Sequence, residues 1–261
     1  MNCKIFIAIL LFELKLYFRD ITSTFFTFFL PIVLIIVFGG SFGSFVDANG
    51  YLGIDTVIAT NVIFLVANNG IMGIAAIVSD IKSKQTLKRY NSIGISNLNY
   101  LIILCVLMMI LSFLSFLIFY TIAYLFYGAT SILVIPLTNL LLFAVFSCLL
   151  LISFMLMGYI IALLFNNTKN AMLVSSSVFL TMIFSSGIAI PTDSLPQLVQ
   201  NIFQYTPMFI GINRLTELWC QVTINFSGLL IDSLLIIFII IFLLFIFFVI
   251  QNKPHRRNKK I

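Results

Sequence analysis

Chemistry needs groups that can hold a proton, a metal or a nucleophile, and this chain has few of them: 14 basic side chains, 8 acidic ones, one histidine and 4 cysteines among 261 residues. His255 stands in a basic tail beside Arg256 and Arg257. A zinc site needs several His, Cys or acidic ligands together, and a serine or threonine nucleophile needs a base within reach. Neither pattern occurs inside the apolar runs. Cys3, Cys105, Cys148 and Cys220 are spread too far apart to read as metal ligands or a redox pair. No G-x-x-x-x-G-K-[ST] loop is present, so the chain does not itself cradle a nucleotide phosphate. An enzyme is not expected, and no catalytic, metal-binding or cofactor-binding residue is assigned.

What remains is polar chemistry embedded in apolar sequence. Asn61 and Asn68 lie seven apart and share a helical face, with Asn69 adjacent. Ser177, Thr181 and Ser185 recur every four residues and form one stripe. Polar groups are costly in lipid and face a partner or a cavity; small hydroxylated residues at this spacing also serve helix packing. Both roles, substrate path and packing, stay open. Gly39-x-x-x-Gly43 is a further close-packing motif. Arg214 and Glu217 are three apart, so they can pair on one helical face.

The elements that must position these residues follow from composition. The chain is 62% hydrophobic and 8% charged, with a mean hydropathy of +1.19, whereas soluble domains carry roughly 25% charged residues. About 20 apolar residues cross a bilayer as a helix. Uncharged runs of this order occur at 22–46, 56–79, 98–127, 134–165, 171–191 and 228–250. The expected fold is therefore all-α: a polytopic membrane protein with six transmembrane helices. With the N-terminus inside, thirteen of the 14 basic residues fall on the inner side and only Arg214 outside, the bias expected of cytoplasmic loops. Asp47, Asp55, Asp193, Glu217 and Asp232 fall outside. Both termini are thus expected in the cytoplasm, in a plasma membrane. The basic balance points to lipid headgroups and not to nucleic acid, which would require a basic face on a soluble domain.

Three segments do not fit a minimal six-helix chain. Residues 1–20 are too charged to span; Lys4, Lys15 and Arg19 fall within about 60° on a helical wheel, which predicts an interfacial N-terminal helix. Asp80 to Asn97 is the only substantial inner loop and carries Lys82, Lys84, Lys88 and Arg89; it reads either as a docking helix or as a topology-setting charge cluster. Pro191 to Phe226, with Pro191, Pro196 and Pro207, predicts short re-entrant helices at 202–205 and 208–219, tolerated where protein covers the backbone. The chain is read as a single domain over 1–261: interfacial helix 1–20, six-span bundle 22–250 and basic tail 251–261.

The order of these features, with Ser186-Gly187-Ile188-Ala189-Ile190-Pro191-Thr192-Asp193-Ser194-Leu195-Pro196, Tyr205-Thr206-Pro207, Ile212-Asn213-Arg214 and the weaker Phe29-Leu30-Pro31, resembles the permease subunit of the type-2 family of ATP-binding-cassette (ABC) transporters over nearly the whole chain. It is closer to the compact bacterial drug, antibiotic and glycolipid exporters than to members with large ectodomains. The arginine-rich signature of the polysaccharide branch is not evident. One departure falls in the inner loop: the family commonly has an acidic residue and a glycine ahead of its basic pair, and here Asp80 is present while Gln85 stands near the glycine position.

The resemblance implies a permease that pairs with a second copy or a paralogue and with a cytoplasmic ATPase, which would bind ATP and Mg²⁺. Coupling would pass through surfaces reachable from the cytoplasm, making Lys15, Arg19, Asp80, Lys82, Lys84, Lys88 and Arg89 the candidate contacts. The cargo would be amphipathic: a drug, an antibiotic peptide or a lipid-like molecule. A secondary transporter or channel working without an ATPase is the rival reading, favoured by a mid-span carboxylate or inverted repeats with broken helices. Neither feature is clear in this sequence.

Overall fold

The computed structural model describes residues 3–43, 45, 53–86, 90, 92, 94–129, 131–165, 167–188, 195–220 and 226–251. Among these residues all regular structure is helical. Helix α1 (Cys3–Arg19) ends at Asp20. One turn, Ile21–Thr24, leads into α2 (Phe25–Phe42). Then come α3 (Gly53–Ser83), α4 (Asn97–Tyr127), α5 (Leu137–Leu164) and α6 (Thr168–Ser185). Two short helices, α7 (Gln197–Phe203) and α8 (Pro207–Trp219), precede α9 (Phe226–Gln251).

Five of these, α2, α3, α4, α5 and α9, are long and apolar enough to cross a membrane. The sixth expected span, 171–191, corresponds to α6, which does not reach the same apolarity. Its first turn is Thr168-Lys169-Asn170 and its middle carries Ser175-Ser176-Ser177. Its 18 residues cover about 27 Å at 1.5 Å per residue, close to the hydrocarbon thickness. The polar ends of the other runs also shift: α3 begins three residues earlier and ends four later than its uncharged run, because Asp55 and Lys82 are accommodated inside the helix.

Helix ends follow from local chemistry. Ser96 caps α4 by accepting the Asn99 N–H at 3.2 Å, and Asn167 caps α6 by accepting the Lys169 N–H at 3.0 Å. Gly128, at φ 65°, closes α4 in the left-handed conformation. Pro196 and Pro207 start α7 and α8, where a missing N–H costs nothing. The first short helix of this segment is therefore 197–203 rather than 202–205: Pro196 sets its beginning, and none of its residues is buried under the bundle as a re-entrant helix was expected to be. The second, 207–219, matches its expected position.

Lipid tails are as apolar as leucine, so these helices are held together by close packing. A tight crossing joins α3 and α5. A Cβ on Gly158 would stand 2.5 Å from the Gly70 carbonyl oxygen, and one on Gly70 would stand 2.5 Å from Phe154 Cβ. Helix α8 wedges between the same two helices at Gly211, where a Cβ would lie 2.5 Å from Ile63 Cδ1 and 2.9 Å from Leu150 Cδ1. Gly39 of the expected small-residue motif packs against Tyr127 of α4, whose hydroxyl donates to the Ile36 carbonyl at 2.8 Å. Trp219, at the end of α8, is buried against Phe143, Phe116 and Tyr120 with ring centroids 5.0–6.0 Å apart.

The bundle thus has a Trp219 end and a Lys82 end. Helix α1 lies at the Lys82 end, and so does the C-terminal part of α9, where Phe247 stacks edge-on against Tyr159 at 5.3 Å.

Candidate functional site

Helices α2, α3 and α6 border a face along which three clefts follow one another. At the Lys82 end a cleft of about 670 Å³ is lined by Glu13, Arg19, Asp20, Asp80, Lys84 and Thr168 among others. It shares Tyr17, Ser23, Ala76 and Met172 with a small middle cavity of about 60 Å³, which reaches Phe26, Thr27, Asn68 and Asn69. At the Trp219 end lies a groove of about 600 Å³ walled by Leu34, Phe38, Phe42, Val57, Phe64 and Ile183, with Thr56, Thr60 and Asn61 as its polar members. The face is charged at one end and apolar at the other.

The middle of this face is built around a π turn in α2. Pro31 has no N–H, so a carbonyl one turn back loses its partner. The backbone widens to a π turn at Phe25–Phe29, and neighbouring side chains supply the missing donors, the usual rescue for proline in a membrane helix. Ser115 of α4 donates to the Thr27 carbonyl at 2.6 Å, and Asn68 of α3 donates to the Phe26 carbonyl at 3.3 Å. Asn69 accepts from the Thr27 hydroxyl at 2.9 Å and donates to Ser112 at 3.0 Å. The Thr27 hydroxyl also bonds the Tyr17 hydroxyl of α1. Helix α3 has its own π turn at Asn68–Gly73. Asn68 and Asn69 therefore serve α2; Asn61 donates Nδ2 to the Pro31 carbonyl at 2.9 Å and its Oδ1 has no partner.

The stripe on α6 divides. Ser177, Thr181 and Ser185 each return their hydroxyl proton to the carbonyl four residues back, at 2.7–2.8 Å. Ser177 and Thr181 are exposed beside Leu173, Leu180 and Phe184, while Ser185 is buried.

The Lys82 end joins α1, α3, α4 and α5. Lys82 donates Nζ to three carbonyls at the C-terminus of α5: Ala162 at 3.3 Å, Leu163 at 2.6 Å and Phe165 at 3.0 Å. Those carbonyls have no helical partner, and an ammonium there also meets the negative end of the helix dipole. Asp80 and Lys84 form an exposed i,i+4 pair at 2.7 Å. Lys15 and Arg19 are exposed on α1. Lys88, Arg89 and Pro191 lie outside the described residues. Beyond Lys84 the chain turns at Gln85 with φ 56°, a left-handed conformation that glycine adopts without strain and other residues do not.

Sequence reasoning missed the joint beneath this end. Glu13 is 3% exposed and accepts from Tyr100 at 3.1 Å and Tyr90 at 3.5 Å. Burial pushes its carboxyl above the ordinary carboxylate range, with the two tyrosine hydroxyls pulling the other way. Burial, with the Glu13 charge, raises Tyr90, and burial pushes Tyr17 up to about 12. No spacing in the sequence pairs residue 13 with residue 100.

At the Trp219 end the predicted pairing of Arg214 with Glu217 is present, and Asp232 of α9 joins it, accepting from Arg214 Nε at 2.6 Å. One arginine thereby ties α8 to α9. Asp55 is buried in the first turn of α3; the Ser131 hydroxyl and the Trp219 indole N–H face its carboxylate without closing hydrogen bonds.

A bundle with five helices long and apolar enough to cross a membrane, and a buried short helix, α8, before the last of them, defines a polytopic membrane protein. Residues 5–219 match the family model of the ABC-2 type transporter, and the chain belongs to that family. No curated protein matches it. The protein is a multi-pass membrane permease of an ABC transporter and is not itself the catalytic subunit.

Proposed function

We propose that the chain is the permease of an ATP-driven exporter in the plasma membrane, working with a cytoplasmic ABC ATPase that holds ATP and Mg²⁺ and with a second copy of itself or a paralogue. The Lys82 end faces the cytoplasm in this reading, so both termini do too, and α1 lies in the inner interface with Lys4, Lys15 and Arg19 toward anionic headgroups. The ATPase docks on the exposed end of α3 around Asp80 and Lys84, with Lys88 and Arg89 beyond, and on the exposed side of α1 at Lys15 and Arg19. Lys82 acts differently from its neighbours: it holds α3 to α5 and so positions the docking surface.

The observation that carries the reading is the succession of clefts along α2, α3 and α6, polar at the Lys82 end and apolar at the other. That gradient suits an amphipathic drug, antibiotic peptide or lipid-like molecule moving outward between two permeases. The exposed stripe at Ser177 and Thr181 fits the second permease.

The test is purification from native membranes in mild detergent, followed by mass spectrometry. A soluble protein with a Walker A motif is expected in near-equal amount, with ATPase activity stimulated by amphipathic molecules after reconstitution. A chain that purifies alone, with no ATPase cross-linked to the Asp80–Gln85 segment, would overturn the reading in favour of a secondary transporter or channel.

A further inference from the structure

The groove at the Trp219 end is almost wholly apolar, so its few polar atoms decide what it selects. Asn61 is 4% exposed and forms part of the groove wall. Its Nδ2 is committed to the Pro31 carbonyl at 2.9 Å, which fixes the amide orientation, since the reverse would set two acceptors against each other. Oδ1 is left buried with no donor. The Thr60 hydroxyl proton is also committed, to the Thr56 carbonyl at 2.8 Å. What Asn61 and Thr60 have left to offer is therefore acceptors. None of the described residues lining the groove carries a charge.

Resting on the transport reading above, we propose that this groove selects apolar molecules that carry an uncharged N–H or O–H donor, with Asn61 Oδ1 as the acceptor that meets it. A buried acceptor without a partner costs free energy that a bound donor recovers. Oδ1 is covered by the groove wall, so the donor reaches it through a small opening of that wall. A carboxylate or phosphate is rejected, because it would bring further acceptors to a site with no counter-ion among its described residues. The volume of about 600 Å³ is that of a drug-sized site, and Phe38, Phe42 and Phe64 supply the aromatic wall for the body of the molecule.

The experiment uses the purified chain in lipid nanodiscs with no ATPase present and measures displacement of a fluorescent apolar dye, corrected against empty nanodiscs. Two probes share one skeleton, N-hexylbenzamide and its N-methylated form; a third, 4-hexylbenzoate, combines the same ring and chain with a carboxylate. The secondary amide is expected to bind about five-fold more tightly than the N-methyl amide, the scale of one net hydrogen bond, with the benzoate weakest. Asn61→Leu should erase the difference between the amides. Because that change also removes the bond to Pro31, Ser115→Ala, which removes a different bond to the α2 backbone at Thr27 and lies outside the groove lining, serves as a folded control and should preserve the difference. Equal binding of the two amides to the unaltered chain overturns the proposal, as does tight binding of the benzoate. Selectivity in a chain that purifies from native membranes without an ATPase would sustain this inference and sink the ATP-driven reading; equal binding in a chain whose ATPase responds to amphipaths would sink this inference alone.

Discussion

At the scale of single residues, two positions at the Lys82 end carry testable cost. Gln85 occupies the left-handed position just past the end of α3, where an L side chain is strained by roughly 1–2 kcal/mol, partly offset by the greater chain entropy glycine loses. Gln85→Gly is expected to stabilise the protein by about 1 kcal/mol and Gln85→Val to destabilise it, both read by thermal melting in detergent. A lower melting point for the glycine variant would mean that the native turn does not need positive φ. Glu13 gives a pH signature. Its folded pKa lies above the ordinary value of 4.5, so its contribution to stability is present below 4.5 and is lost as pH rises through the raised value. Glu13→Gln should melt with little pH dependence across that window, while the unaltered chain loses ground to it as pH increases. Parallel pH profiles for the two proteins would refute the assignment. Gln85 was legible in the sequence as a departure from a family pattern. The Glu13 joint was not, because its partners are 77 and 87 residues away and only the packed helices bring them together.

At the scale of elements, the α3–α5 crossing is set by Gly70 and Gly158. A methyl at Gly158 meets the backbone oxygens of Gly70 and Ile71 at 2.5 and 2.6 Å, and backbone cannot rotate aside as a side chain can. Gly158→Ala is expected to destabilise by about 1–3 kcal/mol and to lower the folded yield in size-exclusion profiles; an unchanged melting point would show that the crossing relaxes freely. The long runs of α2, α3, α4, α5 and α9 could be read from the sequence because nothing but a membrane helix accommodates them. Helix α6 was harder to read: its polar first turn and serine run lower the apolar signal that defines a span. The start of α7 turned on Pro196, one proline among several in that segment. The π turns in α2 and α3 leave no such trace, since they arise where Pro31, Ser115, Asn68 and Asn69 meet across three helices.

At the scale of the whole molecule, the placement of α1, the end of α3 and the end of α9 at one pole agrees with the asymmetry of basic residues along the chain. The exposed α6 stripe gives a prediction at this scale. Cysteine placed at Ser177 or Thr181 is expected to cross-link two copies in native membranes, seen as a dimer on non-reducing gels, while cysteine at Phe238, exposed on α9, should not. Cross-linking only at Phe238 would move the interface to the last helix.

The cap that Lys82 places on α5 has a mechanical meaning. Helices α3 and α5 are pinned twice, by the interlocked glycines in mid-bundle and by one ammonium holding three carbonyls at the pole, and two fixed points along two rods leave them no freedom to shear. In the proposed docking of an ATPase, a push delivered at Asp80 turns α3 and α5 as one strut, carrying with it α8, wedged between them. The compliance needed to open a path is left to α2, whose ladder is interrupted at Pro31, and to α6 on the far side of the clefts. Releasing the polar pin with Lys82→Met, which keeps an unbranched apolar stem of similar size and removes the ammonium, should uncouple ATP hydrolysis from transport while leaving the mid-bundle crossing, and hence the fold, in place.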